Sequence, residues 1–160
     1  MDNEQFTRYA ERYIDTVFRV AFHYLKSSCD ADDVTQNVFL KLLKAEKPFQ
    51  SEEHVRNWLI RVAVNECKNL TRSHWWRREN FDDYAKKLTF DNPAQSDIFY
   101  GVMGLPKKYR LPIYLHYYEG YSTQEIGEIL KVPRSTVCTQ LRRGRELLRE
   151  FLQEVDSDVE

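Results

Sequence analysis

Ser122 to Arg149 reads STQEIGEILKVPRSTVCTQLRRGRELLR. Ser122 and Glu125 stand three apart, just ahead of Ile126, Ile129 and Leu130. That is the capping-box pattern, in which the serine oxygen accepts from the backbone N–H three residues on and the glutamate reaches back. It predicts a short helix. Val132-Pro133 ends it, because proline lacks an N–H and turns its predecessor away from helical geometry. A longer helix is expected from near Arg134, with Val137, Leu141, Gly144, Leu148 and Phe151 inward. Ser135, Cys138, Thr139, Arg142 and Arg143 fall on the opposite face. Gly127 is read as a point where two helix axes approach closely. A helix, a brief turn and a second helix with small polar groups followed by arginines suit the major groove of DNA. The small groups let the helix enter, and arginine reaches a guanine edge or a phosphate. A basic run alone is commonly just a solvated face. The capping box, the short turn and the two-faced helix together favour DNA.

Charge supports this locally. The 160-residue chain has a formal net charge of −1, which by itself says nothing about nucleic acid. Yet Lys131, Arg134, Arg142, Arg143, Arg145 and Arg149 crowd one stretch, with Glu146 the single acid among them. The sequence then turns acidic at Glu150, Glu154, Asp156, Asp158 and Glu160, and residues 154–160 are read as an acidic tail.

Upstream, a short helix is expected over Ser96–Met103, broken by Gly104-Leu105-Pro106. Pro106 is well placed to start the next helix. That helix runs to Tyr118 or Glu119, where Gly120 stops it, with Pro112 inside it as a source of a kink. Residues 98–153 thus form one helical domain.

The N-terminal part is helical too. Phe6, Tyr9, Ala10, Tyr13, Ile14, Val17, Phe18, Ala21, Tyr24 and Leu25 repeat at helical spacing and predict a long helix with one buried stripe. Ser27 to Asp30 reads as a break and cap before a second helix, about Ala31–Ala45, with Val34, Val38 and Leu42 inward. Lys47 to Ser51 is a loop. A third helix follows from Glu52 to Ser73, with Val55, Trp58, Leu59, Val62, Ala63 and Leu70 inward. On its outer face lie Arg61, Asn65, Lys68 and Arg72, three cations and an amide spaced to track a phosphate backbone and meet an exposed base. Asp33, Gln36, Asn37, Leu40 and Lys44 share the outer face of the second helix, where Leu40 is a hydrophobe among polar groups. Glu66 sits near the centre of an apolar stripe, out of pattern. Between residues 74 and 97 the periodicity fails and the stretch reads as a flexible linker, with a short helix near Phe81–Leu88 as its only regular feature. The fold class is all-α: two small helical domains, residues 1–73 and 98–153, joined by that linker.

Other classes fit poorly. His23, His54, His74 and His116 are scattered, and no H-E-x-x-H, CxxC or glycine-rich phosphate loop occurs, so neither an enzyme nor a metal or other cofactor is expected. Cys29, Cys67 and Cys138 form no CxxC pair and suit core or plain surface in a reducing cytoplasm. There is no basic start followed by an apolar run, and no apolar run of the ~20 residues that a membrane span needs. A stand-alone helix-turn-helix regulator is the alternative function. It explains the C-terminal half but leaves the N-terminal faces idle.

The run Asp30-Ala31-Asp32-Asp33-Val34-Thr35-Gln36-Asn37-Val38-Phe39-Leu40 resembles the D-A-E-D-x-x-Q-E-x-F signature of bacterial sigma factor region 2, and Trp58-Leu59-Ile60-Arg61-Val62-Ala63-Val64-Asn65 is similar to its W-L-x-x-I-A-x-N. Leu105-Pro106, Gly120-Tyr121-Ser122, Glu125-Ile126-Gly127 and Arg134-Ser135-Thr136-Val137 resemble region 4. Their order and length resemble the extracytoplasmic-function sigma factors of the sigma-70 family. Asn37 replaces the usual Glu, and Leu43 a common Trp. The resemblance implies binding to core RNA polymerase, to its β′ clamp helices through Asp32, Asp33, Gln36, Asn37 and Leu40, and to its β flap. It implies promoter-specific initiation and an anti-sigma partner. It places Asn65 at a pocket for a base flipped from the −10 element and the loop Glu46–His54 beside it, making Phe49, His54, Arg61, Asn65, Lys68 and Arg72 the −10 set. Arg134, Ser135, Thr136, Cys138, Thr139, Arg142 and Arg143 become the −35 set.

Overall fold

The computed structural model describes residues 1–46, 48–72 and 92–159, and seven α-helices lie among them. They fall into two compact units, described separately.

The first unit holds α1 (Asn3–Leu25), α2 (Ser28–Leu43) and α3 (Glu52–Arg72), each packed on the other two. Asp2 caps α1 by accepting from the Gln5 N–H at 2.8 Å. Lys26 closes it in the left-handed region, φ 55°, with its N–H donating to the Phe22 carbonyl at 2.8 Å. Ser27 at once caps α2, accepting from the Asp30 N–H at 3.2 Å. Two residues therefore turn the chain between antiparallel neighbours, and α2 begins three residues before the expected Ala31 because the cap is Ser27. Val17, Val20, Leu25, Val38, Leu42, Val55, Leu59, Ile60, Val64 and Cys67 form the fully buried centre. Each such aliphatic side chain contributes on the order of 1.5–3 kcal/mol. Ile14, placed by its spacing in the stripe of α1, is 45% exposed.

The second unit holds α4 (Pro93–Met103), α5 (Lys107–Tyr117), α6 (Thr123–Leu130) and α7 (Arg134–Val159). α7 packs against all three of the others. Two glycines allow this. A Cβ at Gly101 of α4 would lie 2.6 Å from Leu148 Cδ1 and 2.7 Å from Phe151 Cδ1 of α7. A Cβ at Gly144 of α7 would lie 2.8 Å from Ile113 Cγ1 of α5. A Cβ at Gly127 would meet the Val132 carbonyl oxygen at 2.8 Å and the Arg134 N and Cα at 3.6 and 3.8 Å, so the glycine makes room for the turn and for the first residue of α7. α5 stays helical through Pro112, and buried Arg110 donates from Nη1 to the Leu105 carbonyl at 3.1 Å, bracing the α4–α5 corner.

Two further boundaries differ from the sequence reading. α4 starts at Pro93, inside the stretch read as linker, because Asn92 accepts from the Gln95 N–H at 3.0 Å and proline occupies the first helical position. α7 continues to Val159, so most of the segment read as an acidic tail is helical. The proposed short helix Phe81–Leu88, and most of the expected linker, lie outside the described residues.

Candidate nucleic-acid interface

The motif at Ser122 forms both of its expected bonds: Ser122 Oγ accepts from the Glu125 N–H and Glu125 Oε1 from the Ser122 N–H, each at 3.1 Å. Lys131 ends α6 in the left-handed region, φ 59°, a turn residue that no glycine signals in the sequence. The Pro133 carbonyl then accepts from the Thr136 and Val137 N–H groups at 3.0 and 3.2 Å, starting α7. Arg134 Nε donates to Thr123 Oγ1 at 2.9 Å and ties the starts of α6 and α7 together. One face of α7 buries Val137, Leu141 and Gly144; the other exposes Ser135, Cys138, Thr139, Arg142 and Arg143, with Thr136 half-buried. The division follows the sequence reading.

The arginines are not equivalent. Arg145 Nη1 donates to the Tyr117 hydroxyl at 3.0 Å. The Arg143 guanidinium beside the Tyr109 hydroxyl, with Lys108, pulls the pKa of that phenol below its usual value, against the opposing effect of burial. Arg142 has no hydrogen bond or ion pair among the described residues. Lys108 and Tyr109 were not singled out by the sequence; they join Ser135, Thr136, Thr139, Gln140 and Arg143 around a shallow groove of about 340 Å³.

In the first unit, Arg61, Asn65 and Arg72 are exposed along α3, and Lys68 is half-buried beside them. Phe49 is half-buried, its ring edge-on to Tyr9, His54 and Trp58 at centroid distances of 6.3, 5.2 and 5.5 Å. His54 Nδ1 accepts from the Gln50 N–H at 3.1 Å, and the His54 N–H donates to Ser51 Oγ at 3.1 Å. Phe49 and His54 thus hold the loop before α3 in shape, while Arg61, Asn65 and Arg72 are exposed along α3. Glu52 fixes the same corner. It accepts from the Tyr13 hydroxyl at 2.9 Å, and Arg8 and Arg12 approach it at 3.8 and 3.6 Å. Burial, then the Glu52 hydrogen bond, raises the Tyr13 pKa, so the phenol keeps the proton it donates. No sequence signal joined residues this far apart.

Asp32, Asp33, Gln36 and Asn37 are exposed on α2, with Leu40 52% and Leu43 44% exposed. Glu66, out of pattern in the sequence, is explained: its Oε1 pairs with Lys41 Nζ of α2. Among the described residues no group of His, Cys, Asp or Glu can hold a metal, and no helix is long and apolar enough to cross a membrane.

Comparison with known proteins gives a consistent result. Residues 9–77 match sigma-70 region 2, and residues 102–148 match sigma-70, region 4. The extracytoplasmic-function RNA polymerase sigma factor SigW of Bacillus subtilis is 26% identical over 179 residues, covering 96% of this chain and 92% of the relative. The sigma-E factor of Escherichia coli is 28% identical over 170 residues, covering 95% and 88%. The sigma factor RpoE from Bartonella quintana, solved with the anti-sigma factor NepR, shares the fold with a TM-score of 0.68 at 18% identity, covering 94% and 98%.

Proposed function

This chain belongs to the sigma-70 family as a sigma factor of the extracytoplasmic-function type, directing promoter-specific transcription initiation, and on that premise we propose how its residues divide the work. α7 enters the major groove of the −35 element. Cys138, Thr139 and Arg142 face base edges, while Arg134, Ser135, Thr136 and Arg143 hold the helix at the groove. The observation that supports this is the two-sided α7, with its polar face exposed behind a fully formed capping box.

The first unit opens the −10 element. A base taken out of the stack costs a few kcal/mol and needs a receiving site. Asn65 offers an amide able both to donate and to accept. Arg61, Lys68 and Arg72 hold the adjoining backbone, and the loop 46–54, pinned by Phe49, His54 and Glu52, walls the site. The exposed face of α2, Asp32, Asp33, Gln36, Asn37 and Leu40, docks on the β′ clamp helices of core polymerase; the second unit meets the β flap. An anti-sigma protein, of the kind bound to the Bartonella relative, regulates access to these faces.

Reconstitution tests the reading. Core polymerase plus this chain should select and transcribe promoters from a random-sequence library, and the chain alone should open none of them. Equal, sequence-specific duplex binding with and without core would overturn the proposal in favour of a stand-alone regulator.

A further inference from the structure

The groove between the start of α5 and the flank of α7 borders the reading face and shares Thr139 with it. Cys138 and Arg142 do not line it; Lys108, Tyr109, Ser135, Thr136, Thr139, Gln140 and Arg143 do. Lys108 Nζ stands 5.0 Å from the centre of the Tyr109 ring, and Arg143 lines the same groove from the α7 side. Two cations therefore converge on one phenol, and neither pairs with a carboxylate among the described residues.

The backbone adds to the positive field. Pro106 starts α5 without any side-chain cap, and the first turn carries Lys107 and Lys108 and no acid. Lysines at the positive end of a helix dipole are misplaced for stability, and an anion there relieves both the dipole and the lysines. The space of about 340 Å³ is the share of about ten waters at ~30 Å³ each, ample for a phosphate and its hydration. Ser135 and Thr139 also line the space, with the Thr139 hydroxyl donating to the Ser135 carbonyl at 3.1 Å.

We propose that this groove seats one phosphate of the promoter backbone, held by Lys108 and Arg143 with Tyr109 keeping the two cations in place. The proposal rests on α7 reading the −35 element. It assigns Lys108 to DNA and gives Arg143, already an anchor of the helix, one phosphate to hold. The ligand is a phosphodiester of duplex DNA, and its identity along the strand is set by where α7 stops in the groove.

Holoenzyme carrying Lys108→Ala is compared with wild-type holoenzyme on one promoter fragment. Losing one phosphate contact should reduce the slope of log affinity against log salt by about 0.9, so that a fourfold rise in salt costs the variant about 3.5-fold less affinity than wild type. Selection from a randomised −35 library should return an unchanged sequence preference. Single neutral methylphosphonates are then placed along the −35 flank. One position should weaken wild type and leave Lys108→Ala and Arg143→Ala indifferent. An unchanged salt slope, or no position at which Lys108→Ala removes the methylphosphonate penalty, overturns the proposal. Arg142→Ala separates that failure from a failure of the underlying reading. If Arg142→Ala shifts −35 preference, α7 is the reader and only the phosphate seat has failed; if neither it nor Thr139→Ala shifts preference, α7 does not read the promoter.

Discussion

Lys41→Met and Glu66→Gln should destabilise the first unit unequally, although they break the same ion pair. Glu66 keeps 14% of its side chain exposed and Lys41 keeps 55%. Removing the lysine strands a carboxylate that has little water around it. A hydrogen bond to a charged group is worth about 1.5–3 kcal/mol net, and leaving such a group unmet costs at least that, so Lys41→Met should cost about 2–3 kcal/mol. Removing the carboxylate leaves an ammonium group that is already half in water. Glutamine still offers its carbonyl oxygen, so the loss should stay near the value for exposed pairs, about 0.5–1 kcal/mol. The double variant Lys41→Met, Glu66→Leu removes both charges and should recover most of the loss, since apolar replacement of a whole pair is often near neutral.

Urea unfolding followed by tryptophan emission suits the test. Trp58, Trp75 and Trp76 are the three tryptophans, and all precede α4. With an m-value of about 1 kcal/mol/M for a unit of this size, Lys41→Met should lower the midpoint by ~2–3 M or leave the unit unfolded, and Glu66→Gln by ~1 M or less. A Glu66→Gln loss equal to or larger than that of Lys41→Met would refute the reasoning, because it would show that the burial difference does not govern the cost.

Three further outcomes are expected. Ser122→Ala removes one bond of the capping box and loosens the other, and should destabilise the second unit by about 0.5–2 kcal/mol, read as a lowered melting temperature by circular dichroism. Asn65→Ala should impair promoter opening more than duplex binding, read by permanganate reactivity of the −10 thymines; equal opening on a matched promoter would remove Asn65 from the pocket. Asp33→Lys with Leu40→Asp should weaken retention by core polymerase in a pull-down with helicity unchanged, and full retention would reject that face of α2.

Local signals carried well from sequence to structure. The serine–glutamate spacing, Pro133 and the inward row of Val137 and Leu141 each act within one or two turns of chain, so they could be read without tertiary knowledge. The acidic tail is helical for an identifiable reason. Residues 150–159 contain no glycine or proline, and acidic side chains alone do not stop a helix, so α7 runs on. Asn92-Pro93 lies in the stretch read as linker, where it is a cap followed by a first helical residue. Ile14 fits the spacing of a buried stripe yet stays exposed, because periodicity gives a face and not the width of that face which neighbours cover. The Glu52 corner, the Lys41–Glu66 pair and the Lys108 groove were out of reach, since each joins residues from different helices.

The arginines of α7 show why composition and spacing stop short of mechanism. A helical wheel puts Arg142 and Arg143 side by side on the same outward face, but the tertiary structure separates them. Arg143 lies beside Tyr109 and Lys108 in one groove and Arg145 donates to the Tyr117 hydroxyl, while Arg142 stays without a partner among the described residues. An arginine carries roughly 2 kcal/mol of rotamer entropy. A guanidinium already tethered to a phenol gives up less of it on meeting a phosphate, so it binds any sequence nearly alike. Arg142 gives it up in full when it docks. Only a base edge that offers two well-placed acceptors repays that cost, so the untethered arginine should discriminate among sequences and the tethered ones should not. On this reasoning the tyrosines, invisible as DNA-binding residues in the sequence, would sort equal charges into anchors and a reader.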